Sequence, residues 1–336
     1  MVFIFIENLF MRTQITPHKN NPQFIKVHYP EIDVIKGIAI LLIILGHAFC
    51  EYPIDIASKL NWLIPYINTS SLAIFFVASG FLFSNNLSWL DFFKKKIVRL
   101  IIPYIVFCLF TIILRMVFAP FTHSGAPSYL EAFYRFITGG YYWFLYALFL
   151  IMIICKLIKS PYILLVIGLS LEALNLMDIQ MPIPIIERVS RFFLYFVFGM
   201  MLKSRYKECL EACRRVQIYL ICSVSLIYFI LASINNTYIN SINTLVGCVL
   251  VWVSSLYLLE LGFLSKFLSY FGRNSLQYYL NHLLILLLCY YAAAKIPLQE
   301  PFLLWLFIAF LATAISWFML QVERRWYWSK VLCGLK

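Results

Sequence analysis

Charge is the first thing this chain has little of. Only 12% of its 336 residues are charged, and 15 of them are acidic. Soluble domains carry roughly a quarter charged residues, so a soluble globular protein is excluded. Cysteine occurs nine times, but with no CxxC pair and no Cys/His cluster. That argues against a structural metal and against a disulfide framework. Cys108, Cys155, Cys222, Cys248 and Cys289 lie within apolar runs and read as small buried hydrophobes. Glycine is sparse at 12 residues, and most prolines fall in loops or at the ends of apolar windows. This weighs against helices broken near a bilayer midplane, as transporters use. No repeat of fixed period is visible, and no polar segment is long enough for a second domain.

What is present is apolar. Hydrophobic residues make up 63% of the chain, with 31 Phe, 22 Tyr and 8 Trp, and the mean hydropathy is +0.86. The windows predict an all-α polytopic membrane protein with about ten spans. They fall near 33–51, 70–86, 97–119, 139–155, 161–177, 190–203, 216–234, 242–260, 275–294 and 301–322. The net charge is +12, which on a soluble protein would suggest nucleic acid. Here the basic residues gather in short loops. With the N-terminus in the cytoplasm, 20 Lys and Arg fall on the inner side and five (Lys59, Arg135, Arg188, Arg191, Lys295) on the outer side. The positive-inside rule accounts for that bias and places both termini in the cytoplasm.

Three regions follow: a polar N-terminal segment 1–31 with a short apolar start, a transmembrane domain 32–322, and a basic cytoplasmic tail 323–336. The opening "MVFIFI" is too short for a span and lacks a basic n-region and a cleavage site. It reads as an interfacial anchor, or as sequence upstream of a start at Met11.

The informative stretch is "EIDVIKGIAILLIILGH". Lys36 and His47 flank ten residues, eight of them aliphatic. Eleven helical steps put both side chains on one face, separated along the axis by roughly 16 Å. Ionisable groups inside a span are costly and by default functional. The alternative is that Lys36 snorkels to the headgroups and His47 bonds a neighbouring helix. Asp33, three residues before Lys36, is placed to hold it as an i,i+3 pair. Of the five histidines, His18, His28 and His123 fall outside the spans; His47 and His282 fall within them. In the ninth span Ser275, Tyr278 and His282 share a face, with Gln277 and Asn281 beside them. That stripe either hydrogen-bonds between helices or lines a pocket.

The Asp-x-x-basic-x10-His pattern resembles the opening signature of the integral-membrane acyltransferase 3 family, whose usual Arg is here Lys36. The resemblance continues in order. "SLAIFFVASGFLFS" is similar to the family's second-helix segment. "FFKKKIVRLIIPYIVF" is similar to its cytoplasmic loop, with Lys96 and Arg99 ahead of Pro103 and Tyr104. "YYWFLYALFL" is similar to the Trp-Phe-Leu entry to helix four, although Tyr142 stands where many members have His. "SYFGRNSLQYYLNHLLI" is similar to the late Ser-Leu…Tyr-Leu…His segment.

The resemblance implies transfer of an acyl group, commonly acetyl, from cytoplasmic acyl-CoA to a hydroxyl of a surface glycan or lipid-linked saccharide. It implies an enzyme of the inner (cytoplasmic) membrane with no tightly bound cofactor and no metal. Lys36, Lys96 and Arg99 would meet the donor's phosphates, or serve only as topology signals. His47 would remove the proton of the attacking hydroxyl or itself carry the acyl group. Arg115, Trp143, Glu172, Ser275, Tyr278 and His282 are the remaining candidates for the pocket. Arg115 and Glu172 would otherwise form a buried ion pair, and Trp143 would sit in an aromatic belt. A transporter or exporter of glycan intermediates, and a non-catalytic binding component, are the rival classes.

Overall fold

The computed structural model describes residues 28–49, 55–117, 128–179, 181–215, 217–234, 236–293, 295, 300–325, 330 and 332–334. The predicted apolar start, His18 and His123 lie outside these residues. No strand occurs among the described residues, and the elements are all helical.

Helix α1 (Pro30–His47) begins with proline, carries Glu31 and Asp33 in its first turn and ends on His47. Proline suits the first helical position, and acidic and basic residues at these ends favour the helix dipole. Its 18 residues span about 27 Å. The helix stops at His47 rather than running to 51, with the amide of Ala48 still bonded to the carbonyls of Ile44 and Leu45.

There follow α2 (Ile64–Ser71), α3 (Ala73–Phe81) and α4 (Trp89–Lys96), the last capped by Ser88, which accepts from the amide of Asp91. A π-helical turn, Ile97–Ile101, joins α4 to α5 (Ile102–Val117). Next come α6 (Tyr129–Ile137), α7 (Trp143–Leu157), α8 (Pro161–Leu176), α9 (Pro184–Ser204), α10 (Tyr206–Arg215) and α11 (Gln217–Ala232). The last four are α12 (Thr237–Leu258), α13 (Gly262–Arg273), α14 (Ser275–Ala293) and α15 (Pro301–Arg325).

By length and composition, four stretches are suited to cross a membrane: Ile64–Phe81, Trp89–Met116, Ile239–Leu258 and Pro301–Arg325. Trp143–Leu157, Pro161–Leu176 and Ile218–Ala232 are shorter apolar helices. Helices also occupy the remaining predicted windows, but α1 and α9 carry several charges and α14 its polar stripe.

Helix α1 is the pillar. It packs against α13, α2, α12, α3, α14 and α15. The tightest crossing is with α13, an element absent from the predicted set of spans. A methyl group on Gly37 would lie 2.0 Å from the carbonyl oxygen of Leu268, and one on Gly272 would lie 1.7 Å from that of Asp33. Only glycine lets the two backbones meet, the device membrane helices use where apolar burial supplies no net attraction. The pair α3 and α9 repeats it, Gly80 against Phe196 and Gly199 against Val77.

Candidate active site

The C-terminal end of α1 is held by two aromatic donors. Trp305 of α15 donates its indole N–H to the carbonyl of Leu45 at 2.9 Å, and its ring stacks on Phe49 with centroids 5.0 Å apart. Tyr290 of α14 donates its hydroxyl to the carbonyl of His47. The last carbonyls of a helix lack intrahelical partners, so these bonds both satisfy α1 and locate the residue it ends on. Beside it, the side-chain oxygen of Asn68 occupies the space a methyl on Gly46 would need, 2.0 Å away.

His47 is an exposed residue at the end of α1, whereas His282, on α14, is fully buried. The two imidazole centroids lie 5.2 Å apart. His282 in turn lies 5.6 Å from the ring of Tyr279, and Tyr279 lies 6.0 Å from that of Tyr142. Tyr142 is 1% exposed and enters α7 with φ of 36°, a left-handed conformation uncommon for a bulky residue. Its hydroxyl accepts from Thr111 at 3.3 Å. The tyrosine at the departing position thus ends a line of rings leading to His47.

At the other end of α1, the Asp33 carboxylate lies 3.0 Å from Nε2 of His28 and 3.9 Å from the Arg273 guanidinium of α13. Lys36 is half-buried one turn on. Glu31, a residue the sequence reading did not use, is buried and accepts from the hydroxyl of Tyr206. Lys96, half-buried, closes α4, and Arg99, exposed, sits in the π-helical turn. Gly334 of the tail packs on that turn, where a methyl would lie 3.1 Å from the carbonyl of Arg99.

Other candidates disperse. Among the described residues Arg115 and Glu172 form no ion pair. Arg115 lies over the ring of Tyr141 at 5.2 Å, and Glu172 is half-buried on α8. Their helices, α5 and α8, do not bring them together, so the predicted pair is corrected. Trp143 stacks on Phe192 at 5.4 Å, with the Arg188 guanidinium 4.9 Å from its ring centre. Tyr278 is buried against Phe271 of α13, while Ser275 is half-buried. On the same helix Gln277 donates to the carbonyl of Cys333 at 3.1 Å and Asn281 to Glu323 at 2.7 Å. Glu323, assigned by sequence to the tail, therefore belongs to the last helix. Among the described residues no cluster of three or more His, Cys, Asp or Glu is arranged to hold a metal ion.

Lys156 had no sequence signal beyond its inner-side charge. It is buried, donates to the carbonyls of Leu87 at 2.8 Å and Asn85 at 3.4 Å, and lies 5.0 Å from the ring centre of Trp89. Lys203 donates to the carbonyl of Phe83 at 3.1 Å. Both lysines pin the loop after α3.

A family model for an acyltransferase domain matches residues 29–321, which takes in α1 through most of α15. The chain belongs to the acyltransferase 3 family. The chain is also 30% identical over 190 residues to the nodulation protein NolL of Sinorhizobium fredii, covering 53% of this chain and 51% of that one. It thus spans about half the length of that curated relative. No solved structure matches it. The family match includes both ends of α1, the α4–α5 turn and α14, so His47, His282, Lys36, Lys96 and Arg99 all lie within it.

Proposed function

We propose that the protein is a ten-span O-acyltransferase of the inner (cytoplasmic) membrane, with both termini in the cytoplasm. It takes an acyl group, acetyl in the first instance, from cytoplasmic acyl-CoA. It delivers that group to a hydroxyl of a surface glycan or lipid-linked saccharide. The observation that carries the reading is α1 itself: one helix presents a charged N-terminal end and an open histidine at its C-terminal end. The donor phosphates meet cations on the inner side, where Lys36, Lys96 and Arg99 are the candidates and Asp33 a supporting group. The thioester of the donor crosses the roughly 16 Å to His47.

There the acceptor hydroxyl gives its proton to His47 as its oxygen bonds to the acyl carbon. The carbon–sulfur electron pair leaves with the sulfur, and His47 returns the proton to give free CoA thiol. Acyl-His47 as an intermediate is the variant of this route.

The deciding experiment incubates purified protein in lipid with radiolabelled acetyl-CoA and follows CoA thiol release, wild type against His47→Ala. His47-dependent release, even as slow hydrolysis without acceptor, supports the reading. Release undiminished in His47→Ala overturns the role of His47. Absence of both release and acyl-CoA binding in the wild type overturns the acyltransferase reading.

A further inference from the structure

His282 of α14 is fully buried, and its Nδ1 lies 2.7 Å from the carbonyl oxygen of Tyr279 on the same helix. A carbonyl only accepts, so Nδ1 carries the hydrogen and, in the neutral ring, Nε2 carries the lone pair. That Nε2 is buried and has no hydrogen-bond partner among the described residues. An unpartnered acceptor inside a membrane protein is costly, and such groups mark sites where a partner is expected. Beside it stands His47, its ring centre 5.2 Å away at a tilt of 45°. The backbone of His47 is fastened at its carbonyl by Tyr290 of the same helix α14, so the two histidines are registered by one element.

From this we infer that His282 is a positioning residue for His47: its Nε2 lone pair accepts a hydrogen bond from one ring N–H of His47 in the working state. This selects the His47 tautomer whose other nitrogen presents its lone pair to the acceptor hydroxyl. The inference rests on the acyltransferase reading above, and names a partner that the charged residues at the other end of α1 cannot supply. A third group that orients the base is the general logic of an activated nucleophile. A neutral imidazole does this by geometry, without a counter-charge. No atom passes through His282. The proton goes from hydroxyl to His47 to thiolate, and His282 sets only which nitrogen of His47 receives it. The ring of Tyr279, 5.6 Å from His282, backs the imidazole on its buried side.

The test compares His282→Phe, which keeps a planar ring and removes the acceptor, with His282→Gln, whose amide oxygen can stand in for Nε2. Both are assayed in lipid with acetyl-CoA after gel-filtration and thermal-melt checks on folding. The expected result for His282→Phe is a kcat lowered roughly tenfold to a hundredfold, part of the roughly hundredfold to ten-thousandfold that a positioned general base contributes, with the KM for acetyl-CoA unchanged. His282→Gln should recover a large part of that loss. Equal activity of the two variants, or a wild-type kcat in His282→Phe, overturns the proposal.

A second measurement needs no turnover. Solid-state NMR of 15N-histidine-labelled protein in lipid, with His47 assigned by its loss in His47→Ala, reads the tautomer directly. One dominant His47 tautomer in wild type that becomes a mixture in His282→Phe is expected, and an unchanged spectrum overturns the pairing. A wild type without acyl transfer but with that tautomer response would sink the enzyme reading and leave the histidine pair standing.

Discussion

Gly272 of α13 touches the carbonyl of Asp33 on α1 so closely that a methyl group there would lie 1.7 Å from the oxygen. That contact sets α13 beside the charged end of α1 and brings Arg273 within 3.9 Å of the Asp33 carboxylate. Gly272→Ala must push the two helices apart. We expect a loss of about 1–3 kcal/mol, the usual range for overpacking, read as a lower melting temperature in detergent. Gly262→Ala, at the start of the same helix, meets nothing within 4 Å and should melt like wild type. Equal melting of all three proteins would disprove the close crossing.

Trp305→Phe removes the indole donor to the Leu45 carbonyl while keeping a ring to stack on Phe49. The stability cost should be about 1 kcal/mol, the net value of one hydrogen bond. Because that bond holds the last turn before His47, acyl transfer should fall more than melting does. A variant that loses stability but keeps full kcat would mean that His47 is located by other contacts.

Lys96→Gln combined with Arg99→Gln should raise the KM for acyl-CoA severalfold and leave kcat near wild type, as loss of uniform substrate binding does. Lys156→Met should behave differently. It leaves the carbonyls of Leu87 and Asn85 without their donor, at a cost of about 1–3 kcal/mol, and shows as lost folded yield without a change in KM. Steady-state kinetics beside a melting curve separates the two. A double variant with unchanged KM would leave Lys96 and Arg99 as topology signals alone.

Reporter fusions test the orientation. Green fluorescent protein joined after residue 95 or 205 should fluoresce, and alkaline phosphatase joined after residue 128 or 186 should be active. The reverse pattern would place His47 on the cytoplasmic side and remove the outward delivery of the acyl group.

Several of these relationships were legible before any coordinates. The run Lys36–His47 declares a helix with ionisable ends, because a continuous aliphatic stretch with proline ahead and charge in the first turn leaves little else. The helix at each apolar window follows in the same way. The ordered motifs from "EIDVIK" to "YYLNH" carried the family. Tyr142 was visible as the departing position, and His282 as one member of a polar stripe. That Arg115 and Glu172 form no pair was not legible, since nothing local says which helices are neighbours; α5 places Arg115 over the ring of Tyr141 instead.

Composition and local pattern therefore determined by themselves that this protein is helical, apolar and basic at its loops, because those properties depend on each residue and its near neighbours. Tertiary structure alone decided which groups meet. Packing of α14 and α15 against α1 put His282 opposite His47 and brought Tyr290 and Trp305 to its last carbonyls. It also turned Lys156 inward to the loop after α3. Such meetings join residues tens to hundreds of positions apart, and they follow from how glycine-lined helix faces fit together, which no single helix encodes.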